Sequence, residues 1–232
     1  MKVNRPAHIA LLVVLAVCAI PRPVAAGEPA GKEGARHPPP ASPGEKSQTS
    51  MFGIEAEGAK FVYVIDRSGS MGIDGERPLS AAKAELLRSI EKLDTIQQFQ
   101  IIFYNERPRI FNPTGVPGRL AFGTEANKEQ VRRFLDTVKA DGGTDHEAAL
   151  AAAVRMRPDV IFWITDGDDP PLDARQLARI DRLGAGIVIH TIQFGTGPRS
   201  KTVSFMAKLA RQSTGRHIYV DVVKLGDKHA DE

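Results

Sequence analysis

The sequence predicts an α/β protein with a doubly wound, mostly parallel sheet of six strands, helices on both faces and one antiparallel edge strand. Continuous apolar runs such as Phe61–Ile65 and Val160–Thr165 are typical of strands that are buried on both faces. Segments with apolar residues at helical spacing alternate with these runs, which is the order of a parallel sheet covered by helices. In such folds ligands bind beyond the carboxyl ends of the strands, where the strand order reverses.

The individual elements follow from the same patterns in chain order. The third strand comes so soon after the second that no parallel crossover fits between them, so we expect it to run antiparallel. The Ala-rich third helix has small side chains that permit close packing on the sheet. The expected strands are 61–65, 99–104, 109–111, 160–165, 187–194 and 217–220, and the expected helices lie at 79–93, 131–138, 144–156, 177–183 and 202–213.

The first 26 residues have the layout of a secretory signal peptide. Lys2 and Arg5 precede an apolar run, Ile9–Ile20, and small residues suited to cleavage follow at Val24–Ala26. We therefore expect a secreted or periplasmic protein without a membrane span in the mature chain. An uncleaved amino-terminal anchor is the alternative, and the lipoprotein-like box that ends at Cys18 is a poor match to that motif.

Residues 27–58 are predicted to be a disordered linker rich in Pro and Gly. Between residues 27 and 50 there are five prolines, four glycines and no aromatic residue, so the segment buries too little apolar surface to offset its ordering entropy. The folded domain is expected at 59–223, with a polar tail at 224–232. We see no internal repeat.

Composition and charge exclude several classes of protein. Hydrophobic residues make up 42% of the chain and charged residues 25%, as in ordinary globular domains. Three of the basic residues lie in the leader, and without them 28 basic residues face 28 acidic ones. This neutral balance argues against nucleic acid as a partner. Cys18 is the only cysteine, so the mature chain would have neither a disulfide nor a thiolate zinc site. A monomer is expected.

Oxygen-bearing side chains follow two of the predicted buried strands. Asp66, Ser68 and Ser70 come directly after the first strand, and Asp166 leaves the strand 160–165 in the same way. Thr144 follows two glycines, which allow its loop to approach another loop closely. Carboxylates and hydroxyls are hard donors, which suit Mg²⁺, with Mn²⁺ or Ca²⁺ also possible, better than a softer metal. If the two strands are neighbours, the five groups converge, one short of an octahedron.

This three-part pattern resembles the metal-ion-dependent adhesion site of von Willebrand factor type A domains. The resemblance covers residues 59–223, and the chain is similar to exported bacterial members. It implies a Rossmann-like fold in which the first and fourth strands lie side by side. It also implies that the hydroxyls of Ser68, Ser70 and Thr144 bind the metal, while Asp66 and Asp166 act directly or through water. His146 departs from the small residue or proline expected after Gly-Gly-Thr-Asp, which bears on access to the metal.

Several of these residues have ordinary structural explanations. An isolated Asp-x-Ser-x-Ser is most often a turn or a helix cap. His146 suits a surface position or a catalytic base, Trp163 suits the core, and His190 is a tolerated strand residue. The remaining acidic residues of these loops are expected to be solvated or to cap helices: Asp141, Asp145, Asp168, Asp169 and Asp173.

Three functions remain open at this point. In a binding module, a metal held mainly by neutral hydroxyls accepts an Asp or Glu carboxylate from a protein partner. In a metal-dependent hydrolase, a metal-bound water would attack, with His146 or Asp168 as base. In a structural subunit, the metal site would be vestigial. The chain contains no nucleophile elbow, P-loop or dinucleotide motif, so we favour the non-enzymatic binding module.

Overall fold

The computed structural model describes residues 46–167, 170–200 and 202–225. The predicted leader, the first part of the predicted linker (27–45) and residues 226–232 of the tail lie outside the described residues. Among the helices described, none is long and apolar enough to cross a membrane. The elements are β1 (Ser47–Met51), β2 (Ile54–Gly58), β3 (Lys60–Asp66), α1 (Ile73–Glu91), β4 (Gln98–Tyr104), β5 (Pro108–Ile110), β6 (Ala121–Phe122), α2 (Glu125–Asp136), α3 (His146–Arg155), β7 (Val160–Thr165), α4 (Ala174–Leu183), β8 (Val188–Gly195), α5 (Phe205–Gln212) and β9 (His217–Asp221).

The central sheet has seven strands in the described part of the chain, one more than the six predicted. Its order is β5-β4-β3-β7-β8-β9, and β6 pairs with β4. The four pairings from β4 through β9 are parallel, whereas β5 and β6 run antiparallel to β4. The antiparallel edge strand was therefore predicted correctly. The additional strand β6 is two residues long, too short to show a strand pattern in the sequence.

Helices cover both faces of the sheet, as predicted. Alternate residues of β3 face opposite sides, so Tyr63 and Ile65 pack in one core and Val62 and Val64 in the other. The first core contains apolar residues of α1 and α2, and the second contains those of α3, α4 and α5. Because β3 and β7 are buried on both faces, they hold the loops at their carboxyl ends on a rigid base.

The strand order reverses between β3 and β7. From β3 the chain proceeds to β4 on one side, and it later returns to place β7 on the other side. The two strands pair in parallel, with Ile65 opposite Ile164. Asp66, the last residue of β3, and Asp166, which follows β7, therefore leave the same edge of the sheet next to each other, as expected.

The structure corrects the boundary of the predicted linker, because residues 47–58 form an ordered hairpin of β1 and β2. Met51 and Ile54 are fully buried in the first core. The Thr49 hydroxyl donates to the Ser89 carbonyl of α1 at 2.8 Å. The hairpin turn has positive φ at Phe52 and Gly53, 48° and 77°, as in the turns that match strand twist. These strands contain few apolar residues, so the sequence did not indicate them. Their burial against α1 stabilises them.

The helix α1 begins in an irregular turn. Asp74, Gly75 and Glu76 have φ of 50°, 71° and 63°, in the left-handed region that is not compatible with a continuous right-handed helix. The regular helix follows this turn, close to the predicted start at Leu79. The Glu76 carboxylate accepts the Ala140 N–H at 3.1 Å, which connects this turn to the segment leading into the Thr144 loop.

Candidate metal centre

Asp66 lies at the end of β3 with its carboxylate fully buried. One oxygen, Oδ1, accepts the Ser68 N–H at 2.8 Å. The other, Oδ2, accepts the Thr165 hydroxyl from the end of β7 at 2.6 Å. These two bonds fold the loop back over the strand end and connect the two strands across the reversal point.

The buried position of Asp66 disfavours the charge of its carboxylate. Burial raises the pKa of its carboxyl from 3.8 to about 6, although hydrogen bonds from Thr165 and Ser68 oppose this rise. The nearby charge of Asp166 raises the pKa of Asp66 further, as the smallest contribution. Among the described residues Asp66 forms no ion pair. At neutral pH it is therefore a buried charge without a counter-charge, which is costly.

The hydroxyls of the first loop lie above this carboxylate. Ser68 Oγ and Ser70 Oγ are 3.2 Å apart, so both point toward one region. With Thr144 and the glycines at 69, 142, 143 and 167, they line an open cleft of about 480 Å³. The structure thus brings together Ser68, Ser70 and Thr144, each of which comes from a segment singled out in the sequence.

The Thr144 loop is fastened to the first loop through its backbone. The Gly69 N–H donates to the Gly142 carbonyl at 2.9 Å, and the Asp141 N–H donates to the Arg67 carbonyl at 2.9 Å. Gly142 has φ of 75°, and a Cβ there would lie 2.6 Å from Glu106 Oε2. Glycine at this position therefore permits both the left-handed turn and the close approach.

A polar network that the sequence did not reveal holds the Thr144 loop in place. Glu106 accepts the Gly143 N–H at 2.6 Å. Asn105 donates to the Asp141 carbonyl at 3.1 Å, and Arg67 forms a salt bridge with the Asp141 carboxylate. Asn105 and Glu106 follow β4, so the third strand end also positions the site. Their sequence context, a short turn between strands, carries no signal of this role.

Asp166 faces a neighbouring cavity of about 370 Å³, together with Ser70. Ser70 lines both spaces, which places Asp166 at the border of the cleft. Of the five predicted residues, Ser68, Ser70 and Thr144 line the cleft, and Asp166 lines the neighbouring cavity. Asp66 lines neither space and is buried, with its Oδ1 at the Ser68 N–H. Among the described residues no group of three or more His, Cys, Asp and Glu could hold a metal, so any metal here depends on the hydroxyls.

His146 is not the surface residue that the sequence favoured. It begins α3 but is 2% exposed. Its Nδ1 lies 2.9 Å from the Tyr104 hydroxyl, which also accepts the Trp163 indole N–H at 2.8 Å. Tyr104 comes from β4 and Trp163 from β7, so the partners that bury His146 are distant in sequence. Trp163 is fully buried, as predicted.

The other acidic candidates have structural roles where the structure describes them. Asp145 accepts the Ala148 N–H and caps α3, and Asp173 caps α4 with a capping box. Asp141 holds the loop, whereas Asp168 and Asp169 lie outside the described residues. His190 is buried in β8 and accepts the Arg216 N–H at 3.0 Å.

The residues present fit a divalent cation. A buried carboxylate with a raised pKa, two neighbouring serine hydroxyls, a threonine hydroxyl and a second carboxylate at the border are all hard oxygen donors. Hard oxygens are the donors that Mg²⁺, Mn²⁺ and Ca²⁺ prefer. A cation would also supply the counter-charge that Asp66 lacks among the described residues.

Known proteins share this fold. The family model of the von Willebrand factor type A domain matches residues 61–168. The uncharacterized protein YfbK of Escherichia coli (strain K12) is 25% identical over 187 residues, which cover 75% of this chain and 30% of YfbK. The chain therefore spans less than a third of the length of that relative.

Two solved structures show the same fold at low sequence identity. A von Willebrand factor type A protein from Catenulispora acidiphila matches with a TM-score of 0.62 at 24% identity, over 73% of this chain and 40% of that one. Proximal thread matrix protein 1 of the mussel byssus matches with a TM-score of 0.53 at 13% identity, over 73% of this chain and 45% of that one. In the mussel structure, zinc occupies the adhesion-site motif.

Proposed function

This chain carries a von Willebrand factor type A domain, and from that premise we propose that it is an exported, divalent-metal-dependent protein-binding module. The observation that carries this proposal is the convergence of Ser68, Ser70 and Thr144 on one open cleft, where the Ser68 backbone N–H donates to the buried Asp66 carboxylate. An open, hydroxyl-lined cleft whose Ser68 is bonded to a buried carboxylate is suited to hold a cation that remains accessible from outside.

Each residue has a distinct part in the proposed site. Ser68, Ser70 and Thr144 would hold the cation, and Asp66 and Asp166 would act on it directly or through water. The cation would supply an electrophilic centre that accepts an Asp or Glu carboxylate of a protein partner. Where the carboxylates act through water, the groups that contact the cation are neutral hydroxyls, so the cation would stay electrophilic, which favours an anionic ligand.

Mg²⁺ is the cation we propose, with Mn²⁺ or Ca²⁺ as substitutes. All five groups are oxygens, and two of them are carboxylates, which suits these hard cations. Zinc occupies the corresponding motif of the mussel protein, so the motif itself does not exclude zinc. Selectivity then depends on metal availability and ligand type.

Capture of a partner tests the binding function. The protein would be immobilised and exposed to an extract of the secreted and periplasmic proteins of its source, in magnesium and in chelator. We expect a partner that is retained with magnesium, released by chelator and absent with Asp66→Ala. Retention that is equal with chelator, or equal with Asp66→Ala, would contradict the proposal.

A hydrolytic function has less support from the residues described. His146, a candidate base, is buried among aromatic residues with its Nδ1 at the Tyr104 hydroxyl. His146 is not among the described residues that line the open cleft. Turnover assays with simple ester and phosphate substrates would distinguish the hydrolase from the binding module, and sustained turnover that Thr144→Ala abolishes would favour the enzyme.

Export is part of the proposal and has its own test. The succession of charged, apolar and small residues in 1–26 predicts cleavage near Ala26. Mass spectrometry of the exported protein should find an amino terminus at or near Gly27. Intact leader on cytoplasmic protein would contradict export.

A further inference from the structure

A second cavity lies next to the cleft of the proposed metal centre. Its volume of about 370 Å³ lies within the range of ligand pockets, ~300–1,000 Å³. Ser70 and Asp166 lie on the side of the metal cleft. The end of β8 and the loop that follows, including Gln193 and Arg199, form most of the rest, and Tyr219 of β9 also lines the cavity. A partner that reaches the metal therefore also meets this loop.

Arg199 gives the cavity a positive charge in addition to that of the proposed cation. Asp166 and Arg199 are the only charged side chains among the described residues that line it. Arg199 is exposed, and it forms neither an ion pair nor a hydrogen bond within the described part of the chain. A guanidinium remains protonated at any physiological pH, and its planar donors match a carboxylate. Arg199 belongs to the loop after β8 and acts electrostatically on His217 of β9, whereas Asp166 follows β7.

The backbone holds the loop of Arg199 in place. The Tyr219 hydroxyl donates to the Gly197 carbonyl at 3.0 Å, and Asp221 Oδ1 accepts the Gly197 N–H at 3.3 Å. Both residues belong to β9, which pairs in parallel with β8. The loop is thus anchored two residues before Arg199, which lowers the ordering cost of binding there.

From this geometry we infer that Arg199 determines specificity for partners with two acidic side chains close together in one segment. The inference rests on the proposed function: the first carboxylate occupies the metal, and Arg199 binds the second across the cavity. The apolar walls, including the half-exposed Ile73, leave room for the residues between the two.

Peptides of defined sequence test this inference. Short biotinylated peptides would carry one central Asp in a Gly/Ser background, with a Glu or its neutral isostere Gln at one flanking position in turn. Streptavidin-coated sensors present them in several copies, so that weak binding is measurable. Binding would be recorded in magnesium, in manganese and in chelator for wild type, Arg199→Gln and Arg199→Glu. Arg175→Gln, an exposed arginine of α4 outside the cavity, is the matched control.

We expect metal-dependent binding of peptides that contain the central Asp, with Glu preferred over Gln at one or two flanking positions. The preference should be about two- to fivefold, as for an ion pair at a partly exposed site. Arg199→Gln should abolish it, Arg199→Glu should reverse it, and Arg175→Gln should retain it.

The possible failures separate this inference from the proposed function. Metal-dependent binding without any preference for Glu would overturn the inference and leave the proposed function standing. A preference that persists in Arg199→Gln would overturn the assignment to Arg199. If no peptide binds in a metal-dependent way, the proposed function fails, and the inference fails with it.

Discussion

Asp66 combines a buried position with a charge, and this combination makes its protonation sensitive to metal. Burial raises the pKa of its carboxyl from 3.8 to about 6. A raised folded-state pKa contributes stability that is fully present below pH 3.8 and is lost as pH rises through 6. At pH 8 without metal, the ionised carboxylate therefore lowers the free energy of unfolding, by about 3 kcal/mol at most.

We predict that the effect of Asp66→Asn on the free energy of unfolding changes sign when metal is added. In chelator at pH 8, the variant should be at least as stable as wild type, because the buried charge is gone while the side-chain volume stays the same. In excess magnesium it should be less stable than wild type, because it no longer attracts the cation. Thermal melting in both conditions measures this. A variant that magnesium stabilises as much as wild type would contradict the role of Asp66.

The candidate residues could be predicted from sequence because each follows a strongly apolar strand or a glycine pair. Asp66 and Asp166 were expected to meet if the strands before them are neighbours, and the resemblance to the adhesion-site family implied that they are. The hydrogen bond from Thr165 to Asp66 was not predicted, because a threonine at the end of a strand is common and does not indicate a partner. Burial of His146 depends on Tyr104 and Trp163 from two other elements, and no local pattern reports such contacts.

The Thr144 loop depends on the conformation of Gly142. We predict that Gly142→Ala destabilises the domain and weakens metal binding. Alanine is strained at the positive φ of this position, and its Cβ would lie 2.6 Å from Glu106 Oε2 and 2.9 Å from Asn105 Nδ2. The free energy of unfolding should fall by about 1–3 kcal/mol, as measured by denaturant titration.

Gly118→Ala is the control for this prediction. Gly118 also has positive φ, 72°, but a Cβ there meets nothing within 4 Å. It should show the cost of backbone strain without any effect on metal binding. If the two variants lose equal stability and both retain full metal binding, close packing of the Thr144 loop is not what positions Thr144.

The hairpin of β1 and β2 contributes to the core rather than serving as a tether. We predict that Met51→Ala lowers the free energy of unfolding by about 2–5 kcal/mol, the usual cost of truncating a fully buried side chain. Glu57→Ala, on the exposed face of β2, should change it by less than about 0.5 kcal/mol. Denaturant titration compares them, and equal stabilities would restore the interpretation of this segment as a linker.

Among the elements, the strongly periodic and fully apolar segments could be predicted, and the weakly marked ones could not. The strand Val160–Thr165 agrees with its prediction at both ends, because six apolar or β-branched residues are bounded by polar ones. The hairpin strands carry polar residues on their exposed face and few apolar residues on the other. Their stability comes from α1 and the core, which the local sequence does not show.

The whole domain should respond to metal, because the proposed ligands come from loops far apart in the chain. The loops after β3 and β7 and the loop before α3 converge only when the sheet has formed. A cation would therefore bind the native protein and not the unfolded chain. At a hundredfold excess over the dissociation constant, this linkage stabilises the fold by about 2.7 kcal/mol.

Thermal melting in chelator and then in magnesium or manganese is the most direct test of the metal centre. For a domain of this size the midpoint should rise by about 5–10 °C on addition of metal. Thr144→Val, which keeps the shape of the side chain but removes its hydroxyl, should shrink the rise. Thr95→Val, at an exposed position between α1 and β4, should leave it unchanged. Equal midpoints with chelator and with every metal would mean that the cleft holds no cation, and the domain would then be a structural subunit with a vestigial site.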